Sequence, residues 1–163
     1  MLESEKKFQH LIDEIYEAAR IDTYNNISPK NYGTGDLLYS NEVHTLKLIA
    51  ENEGLNQNEL AEKTYRRKGT VSVTVDKLES KGLIEKRVDL EDRRRSCLFV
   101  TEKGRLVHEK HADYDNEIYK KMRAGIKVTD EQLDNAIYVL GECLKYFRSN
   151  IYHAKNCAVT DSK

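Results

Sequence analysis

Cysteine is scarce in this sequence: Cys97, Cys143 and Cys157 lie far apart and form no CxxC pair. An odd, scattered set excludes a disulfide framework and a zinc ribbon, and it fits a reducing compartment. No run of about 18 apolar residues occurs, so no transmembrane helix is expected. The opening stretch MLESEKKFQHLIDEIYEAAR has its apolar residues interrupted by acids and lysines. A signal peptide needs an unbroken apolar stretch, so a cytoplasmic protein is expected. Catalytic motifs are missing as well: there is no GxSxG, no HExxH, no P-loop and no Gly-rich nucleotide loop, and an enzyme is not expected. Net charge is also small. The formal value of -1 argues against a uniformly basic nucleic-acid binder.

What is present is a segregation of charge. Lys63 to Arg95 holds eleven Lys/Arg and six Asp/Glu, so this stretch is +5 and the remainder -6. A locally positive face on a nearly neutral chain is what contact with backbone phosphates requires. At 163 residues, with 39% hydrophobic and 34% charged residues, the chain has the size of one domain with helical extensions.

Periodicity assigns the elements. Phe8, Leu11, Ile12, Ile15, Tyr16 and Ala19 have the spacing of an apolar helix face. TYNNISPKNYGTGD, residues 23 to 36, holds the one proline, Pro29, with two glycines and several asparagines, and reads as a loop. Helix resumes near Ser40, with Val43, Leu46, Ile49 and Ala50 in one stripe, and stops at ENEG with Gly54 as its C-terminal glycine. Asn56 caps a short helix containing Leu60 and Ala61. Val71, Val75 and Leu78 mark the next helix, closed by Gly82. The alternation in TVSVTV also suits a strand, but the flanking DKLESKG favours helix. Two short helices joined by a tight turn make a helix-turn-helix. LIEKRVD and SCLFVT then read as two strands joined by LEDRRR, a hairpin placed as a wing. Thr101 caps a long helix carrying Leu106, Val107, Tyr114, Ile118 and Met122. Thr129 and Gln132 open the last helix as a capping box. Along it, Leu133, Ile137, Leu140, Leu144, Phe147 and Ile151 form a heptad seam. Cys97 in the second strand and Cys143 beside the seam read as small packed residues.

The expected fold is therefore mainly α with a small β-hairpin wing. The layout is one domain: residues 1–36 an N-terminal dimerisation helix and loop, 37–104 the winged helix-turn-helix, 105–152 a long helix pair ending in a dimerisation helix, and 153–163 a frayed tail.

The segments NELAEKT, GTVSVTVDKLESKGLIEKR and Asp92-x-Arg94 followed by VTEKG carry a resemblance. Together and in this order they resemble the multiple antibiotic resistance regulator (MarR) family of winged-helix repressors, over roughly Glu42 to Gly104. In that family D-x-R-x5-[LV]-T-x-x-G is the wing and the start of the next helix, matched here by Asp92, Arg94, Val100, Thr101 and Gly104. One departure stands at the recognition helix, where relatives often place Ser or Asp and this chain has Tyr65-Arg66-Arg67.

The resemblance implies a homodimeric repressor on double-stranded DNA with a pseudo-palindromic operator. It implies that Arg93, Arg94 and Arg95 tip a wing narrow enough for a minor groove, with Arg94 inserted and Asp92 orienting it. It places Lys68, Gly69, Thr70, Ser72, Val73 and Thr74 toward the major groove or its rim. Ser72 and Thr74 can hydrogen-bond base edges and Val73 can touch a thymine methyl; the alternative is that Val73 and Thr74 are packed in the core. Thr70, Ser72 and Val73 are the expected contacts, with Arg66, Arg67 and Lys68 on phosphates. Two long terminal helices carry more apolar face than one winged domain buries, which favours dimerisation over a monomer's cover. Redox-sensing relatives keep a reactive cysteine in the first helix, and this chain has none there, so a peroxide switch is not expected. A winged helix used only as a protein-interaction module remains the alternative function.

No cofactor is required by this reading, but an effector is implied. His111 and Asp115 lie one helical turn apart, and His44 comes from the helix before the helix-turn-helix. Such a trio can hold a divalent metal such as zinc, with Glu42 or a residue of the 23–36 loop as a fourth ligand. This resembles the zinc-sensing branch of the family in part, with Asp115 where that branch has histidine. The alternatives are a plain His111–Asp115 hydrogen bond, or a small organic anion or phenol in the same cleft.

Overall fold

The computed structural model describes residues 2–25, 27–89, 93 and 95–157, with their side chains except at position 25 and beyond position 150. Asp92 and Arg94 therefore lie outside the described residues. The chain forms two compact units that divide between Glu117 and Ile118.

The first unit opens with α1 (Glu3–Asn25), whose Leu11, Ile12 and Ile15 are half-buried while Phe8 and Tyr16 stay exposed. The expected 23–36 loop is partly ordered. Helix continues to Asn25, and β1 (Lys30–Asn31) pairs antiparallel with β2 (Leu37–Leu38). Strands of two residues are too short to show alternation, which is why periodicity misses them. Gly33 and Gly35, at φ 89° and 83°, turn the chain between them, and the Asn31 side-chain oxygen accepts from the Gly33 N–H at 2.7 Å.

The core comes from α2 (Ser40–Ala50), α3 (Gln57–Thr64), α4 (Lys68–Ser80) and the hairpin β3 (Ile84–Val88) with β4 (Ser96–Val100). Leu46 and Ile49 of α2, Leu60 of α3, Val75 and Leu78 of α4, and Leu83 and Leu98 around the hairpin are completely buried. TVSVTV is helical: Val71, Thr74, Val75 and Leu78 are buried at helical spacing. Its short alternation yields to the i, i+4, i+7 stripe that meets this core. Asn56 caps α3 as expected, its side chain accepting from the Asn58 and Glu59 amides while Glu59 accepts from Asn56 N–H.

Helix α2 ends at Ala50, four residues before Gly54. At φ 89°, Gly54 steers the chain onto β4. Gly54 N–H donates to Leu98 C=O at 2.9 Å, Leu98 N–H donates to Leu55 C=O at 2.8 Å, and Asn56 bridges Cys97. The wing is thus backed by a third extended segment. After β4, Thr101 caps α5 (Glu102–Gly125): its hydroxyl accepts from Gly104 N–H at 3.1 Å and donates to Gly82 C=O at 2.7 Å.

In the second unit, Thr129 and Gln132 form the expected capping box of α6 (Asp130–Cys157). On the heptad face Leu133 and Phe147 are half-buried, and Ile137, Leu140 and Leu144 are exposed. The side chain of Ile151 lies outside the description. Cys143 is buried. Among the described residues no helix is long and apolar enough to cross a membrane.

Candidate nucleic-acid interface

The turn between α3 and α4 is built without glycine. Tyr65 adopts the left-handed conformation, φ 54° and ψ 29°, so that its N–H and that of Arg66 return to the last carbonyls of α3. Single residues visit that region at a cost of about 1 kcal/mol or more. Arg67 then sits at the N-cap of α4 with no side-chain hydrogen bond, and the first turn holds no acid. The departure at Tyr65-Arg66-Arg67 is therefore an uncapped helix start, whose free amides and positive dipole end suit an anion.

Helix α4 sorts its side chains cleanly. Lys68, Gly69, Thr70 and Val73 are exposed, Val73 at 56%, and Ser72 is half-buried. Thr74 faces the core, with its hydroxyl donating to Thr70 C=O at 3.0 Å. Of the two alternatives for these residues, Val73 points out and Thr74 points in. Asp76 and Lys77, also exposed, continue the Val73 face; their helical phase could have shown them in the sequence. Asp76 is tied to Lys86 of β3 at 2.8 Å, and Lys86 also reaches Glu79 at 2.7 Å.

The cations between Lys63 and Arg95 divide into two groups. Lys81, Lys86, Arg87 and Arg95 are ion-paired to Glu42, Asp76 and Glu79, Glu85, and Glu59 respectively. Lys63, Arg66, Arg67, Lys68, Lys77 and Arg93 are exposed, and no acid pairs with them among the described residues. Arg93 stands in the wing turn, which closes through Asp89 N–H donating to Arg95 C=O at 2.9 Å. Arg93 and Arg95 do not behave alike: among the described residues Arg93 pairs with no acid, whereas Arg95 is turned back onto α3.

Comparisons with known proteins bear on this arrangement. The model of the MarR family matches residues 38–96, from β2 to the start of β4. The organic hydroperoxide resistance transcriptional regulator of Bacillus subtilis (strain 168) is 32% identical over 102 residues, which cover 61% of this chain and 67% of that one. The chain belongs to the MarR family. Solved structures share the fold. A MarR protein from Peptoclostridium difficile superposes with a TM-score of 0.74 at 23% identity, over 88% of this chain and 91% of that one. Streptococcus pneumoniae FabT, solved in complex with DNA, gives 0.66 at 21%, over 89% and 98%. As a MarR-family protein the chain is a DNA-binding transcriptional regulator and not an enzyme.

The residues expected to hold an effector in this MarR-family chain also meet. His111 of α5 is 3% exposed, and among the described residues neither ring nitrogen has a hydrogen-bond partner. Its ring centroid lies 5.2 Å from that of His44 and 5.4 Å from that of Tyr32, and its Nε2 is 3.6 Å from Asp115. Burial pulls the His111 pKa below 6.5; Asp115 opposes this, and the nearby His44, Lys47 and His108 add to it. This environment favours the neutral ring over the charged one. Asp115 also faces Lys47 at 3.9 Å. Among the described residues no group of three or more His, Cys, Asp or Glu is placed to hold a metal ion. His44, His111 and Asp115 are neighbours without being arranged as a ligand set. Glu42, the suggested fourth ligand, is 2% exposed and committed elsewhere: its carboxylate accepts from Lys81 at 3.0 and 3.1 Å and from Tyr39 N–H at 2.8 Å. Beside the cluster a pocket of about 470 Å³ is lined by Lys30, Asn31, Tyr32, Gly33, Lys110 and Tyr114. Lys30 Nζ donates to the Tyr114 hydroxyl there at 2.8 Å. Lys30, Lys110 and the β1–β2 turn carry no sequence signal for this role, because only folding brings the turn onto α5.

Proposed function

We propose that this regulator acts in the cytoplasm as a homodimeric repressor that binds a pseudo-palindromic operator and releases it in response to a small effector. The observation that carries the DNA part is the division of cations. Among the described residues, those left without acids gather on α3, on α4 with its uncapped start, and in the wing turn. On this reading Arg66, Arg67 and Lys68 meet phosphates, and Thr70, Ser72 and Val73 meet base edges. Arg93 and Arg94 enter the minor groove, with Asp92 orienting Arg94.

The experiment is selection of duplexes from a random pool, followed by affinity measurements across salt. Binding should fall log-linearly with salt, by about 0.9 in slope for each phosphate neutralised. Arg94→Ala should weaken operator binding by about 1–3 kcal/mol, the usual range for a specific contact. Asp92→Ala should weaken it too, although loss of an acid near DNA favours binding on charge alone. A flat salt response would instead favour a protein-interaction module.

For the effector, the pocket with Lys30 and Lys110 favours a small organic anion or phenol over a metal ion. Zinc and a panel of benzoates and phenols, titrated into wild type and His111→Ala with operator affinity read in parallel, separate the two. Zinc that binds wild type tighter than His111→Ala and shifts operator affinity would overturn the organic reading. The hydroperoxide response in the name of the Bacillus subtilis relative is not carried over. The first helix has no cysteine, and burial pushes the Cys97 thiol above its ordinary pKa, away from the reactive thiolate.

A further inference from the structure

We infer that Arg95 and Glu59 form a latch that sets the pose of the wing against the helix-turn-helix, so that Arg95 is a positioning residue and not a phosphate contact. The inference rests on the reading that the wing meets DNA. One guanidinium nitrogen, Nη2, donates to both carboxylate oxygens of Glu59, at 3.0 and 3.1 Å. Nη1 faces Asp89 at 4.0 Å, across the base of the wing turn. Nε is buried, with no hydrogen-bond partner among the described residues, so the base of the guanidinium lies packed on the protein while the side chain as a whole is part-exposed.

The anchor is itself tied to the backbone. Glu59 Oε2 accepts from Asn56 N–H at 2.9 Å in the capping box of α3, and Asn56 bridges Cys97, two residues past Arg95. The start of α3 and both ends of the wing turn therefore converge on one guanidinium. Drawing Arg95 away to a phosphate would leave an unpaired carboxylate beside the DNA. Arg93, two residues earlier in the arginine run, has no such tie among the described residues. Because the pair is 39% exposed on each side, it adds little to global stability; its effect is on where Arg93 and Arg94 point.

The test uses the full chain and its selected duplex. Wild type, Arg93→Gln, Arg95→Gln, Glu59→Gln and the Arg95/Glu59 double variant are titrated across salt. Glutamine at 59 keeps the capping acceptor and removes only the charge. Arg95→Gln and Glu59→Gln should each weaken binding about tenfold, with a salt slope unchanged, whereas Arg93→Gln should reduce the slope by about one. The double variant should bind no more weakly than either single one, because both remove the same interaction. The latch is overturned if Arg95→Gln reduces the slope by about one, if Glu59→Gln binds more tightly, or if both variants bind as wild type. Should Arg95→Gln fail to fold, the direction of the Glu59→Gln effect decides alone. A wild type insensitive to salt would sink the DNA reading itself. A salt-sensitive wild type with silent 59 and 95 variants would sink only the latch.

Discussion

Gly104 has no room for a side chain. A Cβ there would overlap the backbone carbonyl of Leu83 and press on Val100. The glycine that closes the T-x-x-G part of the wing motif is thus a packing requirement: α5 starts against the residue that opens the hairpin. Gly104→Ala should destabilise the fold by about 1–3 kcal/mol, read as a lower urea midpoint at unchanged slope. Arg67 presents the reverse case, a residue that withholds local stability. Arg67→Asp would supply the missing cap of α4 and should stabilise by about 1 kcal/mol, while weakening duplex binding because a cation becomes an acid. Stabilisation without loss of binding would remove Arg67 from the phosphate contacts. His111 makes a pH prediction. Its folded pKa lies below the ordinary 6.5, mainly through burial. Between that value and 6.5 the unfolded chain binds more protons, so stability falls as pH falls through this window and does not return below it. Urea midpoints at pH 7.5 and 5.5 should differ less for His111→Leu than for wild type.

Elements were legible in the sequence where a face is buried over several turns or a cap has a fixed spacing. The α4 stripe, the Asn56 cap, the Thr129 capping box and the hairpin strands are all of this kind. The β1–β2 ladder and the Gly54–Asn56 segment on β4 were not, because their partners are remote and they are too short for periodicity. Ion pairing was equally hidden: nothing in the run Arg93-Arg94-Arg95 tells which guanidinium is tied to an acid 36 residues earlier. The same holds for Lys81 at the end of α4, whose ammonium reaches the buried Glu42 at the start of α2 and the Leu37 carbonyl at 2.9 Å. That contact couples the recognition helix to the strand and helix before it. Removing one partner of a buried pair costs about 3–5 kcal/mol, because the other charge is stranded. Lys81 is a quarter exposed, so Lys81→Met should fall at or below the lower end, about 3 kcal/mol. Glu42→Gln, which keeps an acceptor for Tyr39 N–H, should cost less. A Glu42→Gln cost as large as that of Lys81→Met in chemical denaturation would show that the stranded Glu42 charge is not what makes loss of the lysine costly.

At the scale of the whole molecule, the long helices leave apolar surface that each unit alone does not cover. On α6, Ile137 is 68% exposed and Leu144 49%, in the middle of a seam spaced by fours and threes. On α1, Phe8 and Tyr16 are exposed by 56% and 58%. Single exposed apolar side chains are ordinary on monomers, but repeated ones along one helical face mark an interface. A second copy is the occupant we propose, because operator recognition by a two-fold dimer sets two recognition helices about 34 Å apart, one turn of DNA. Leu140→Glu or Leu144→Glu would place a carboxylate on that seam, where dimerisation would bury it without a partner. Either variant should sediment as a monomer at concentrations where wild type is a dimer. Its winged unit should stay folded, since neither position belongs to that core. Duplex binding should then weaken toward that of a single half-site, with a salt slope roughly halved, because each protomer brings its own phosphate contacts. An unchanged dimer in the ultracentrifuge would move the interface off the α6 seam. A monomer that keeps full operator affinity and slope would refute two-fold recognition even though the seam had been placed correctly.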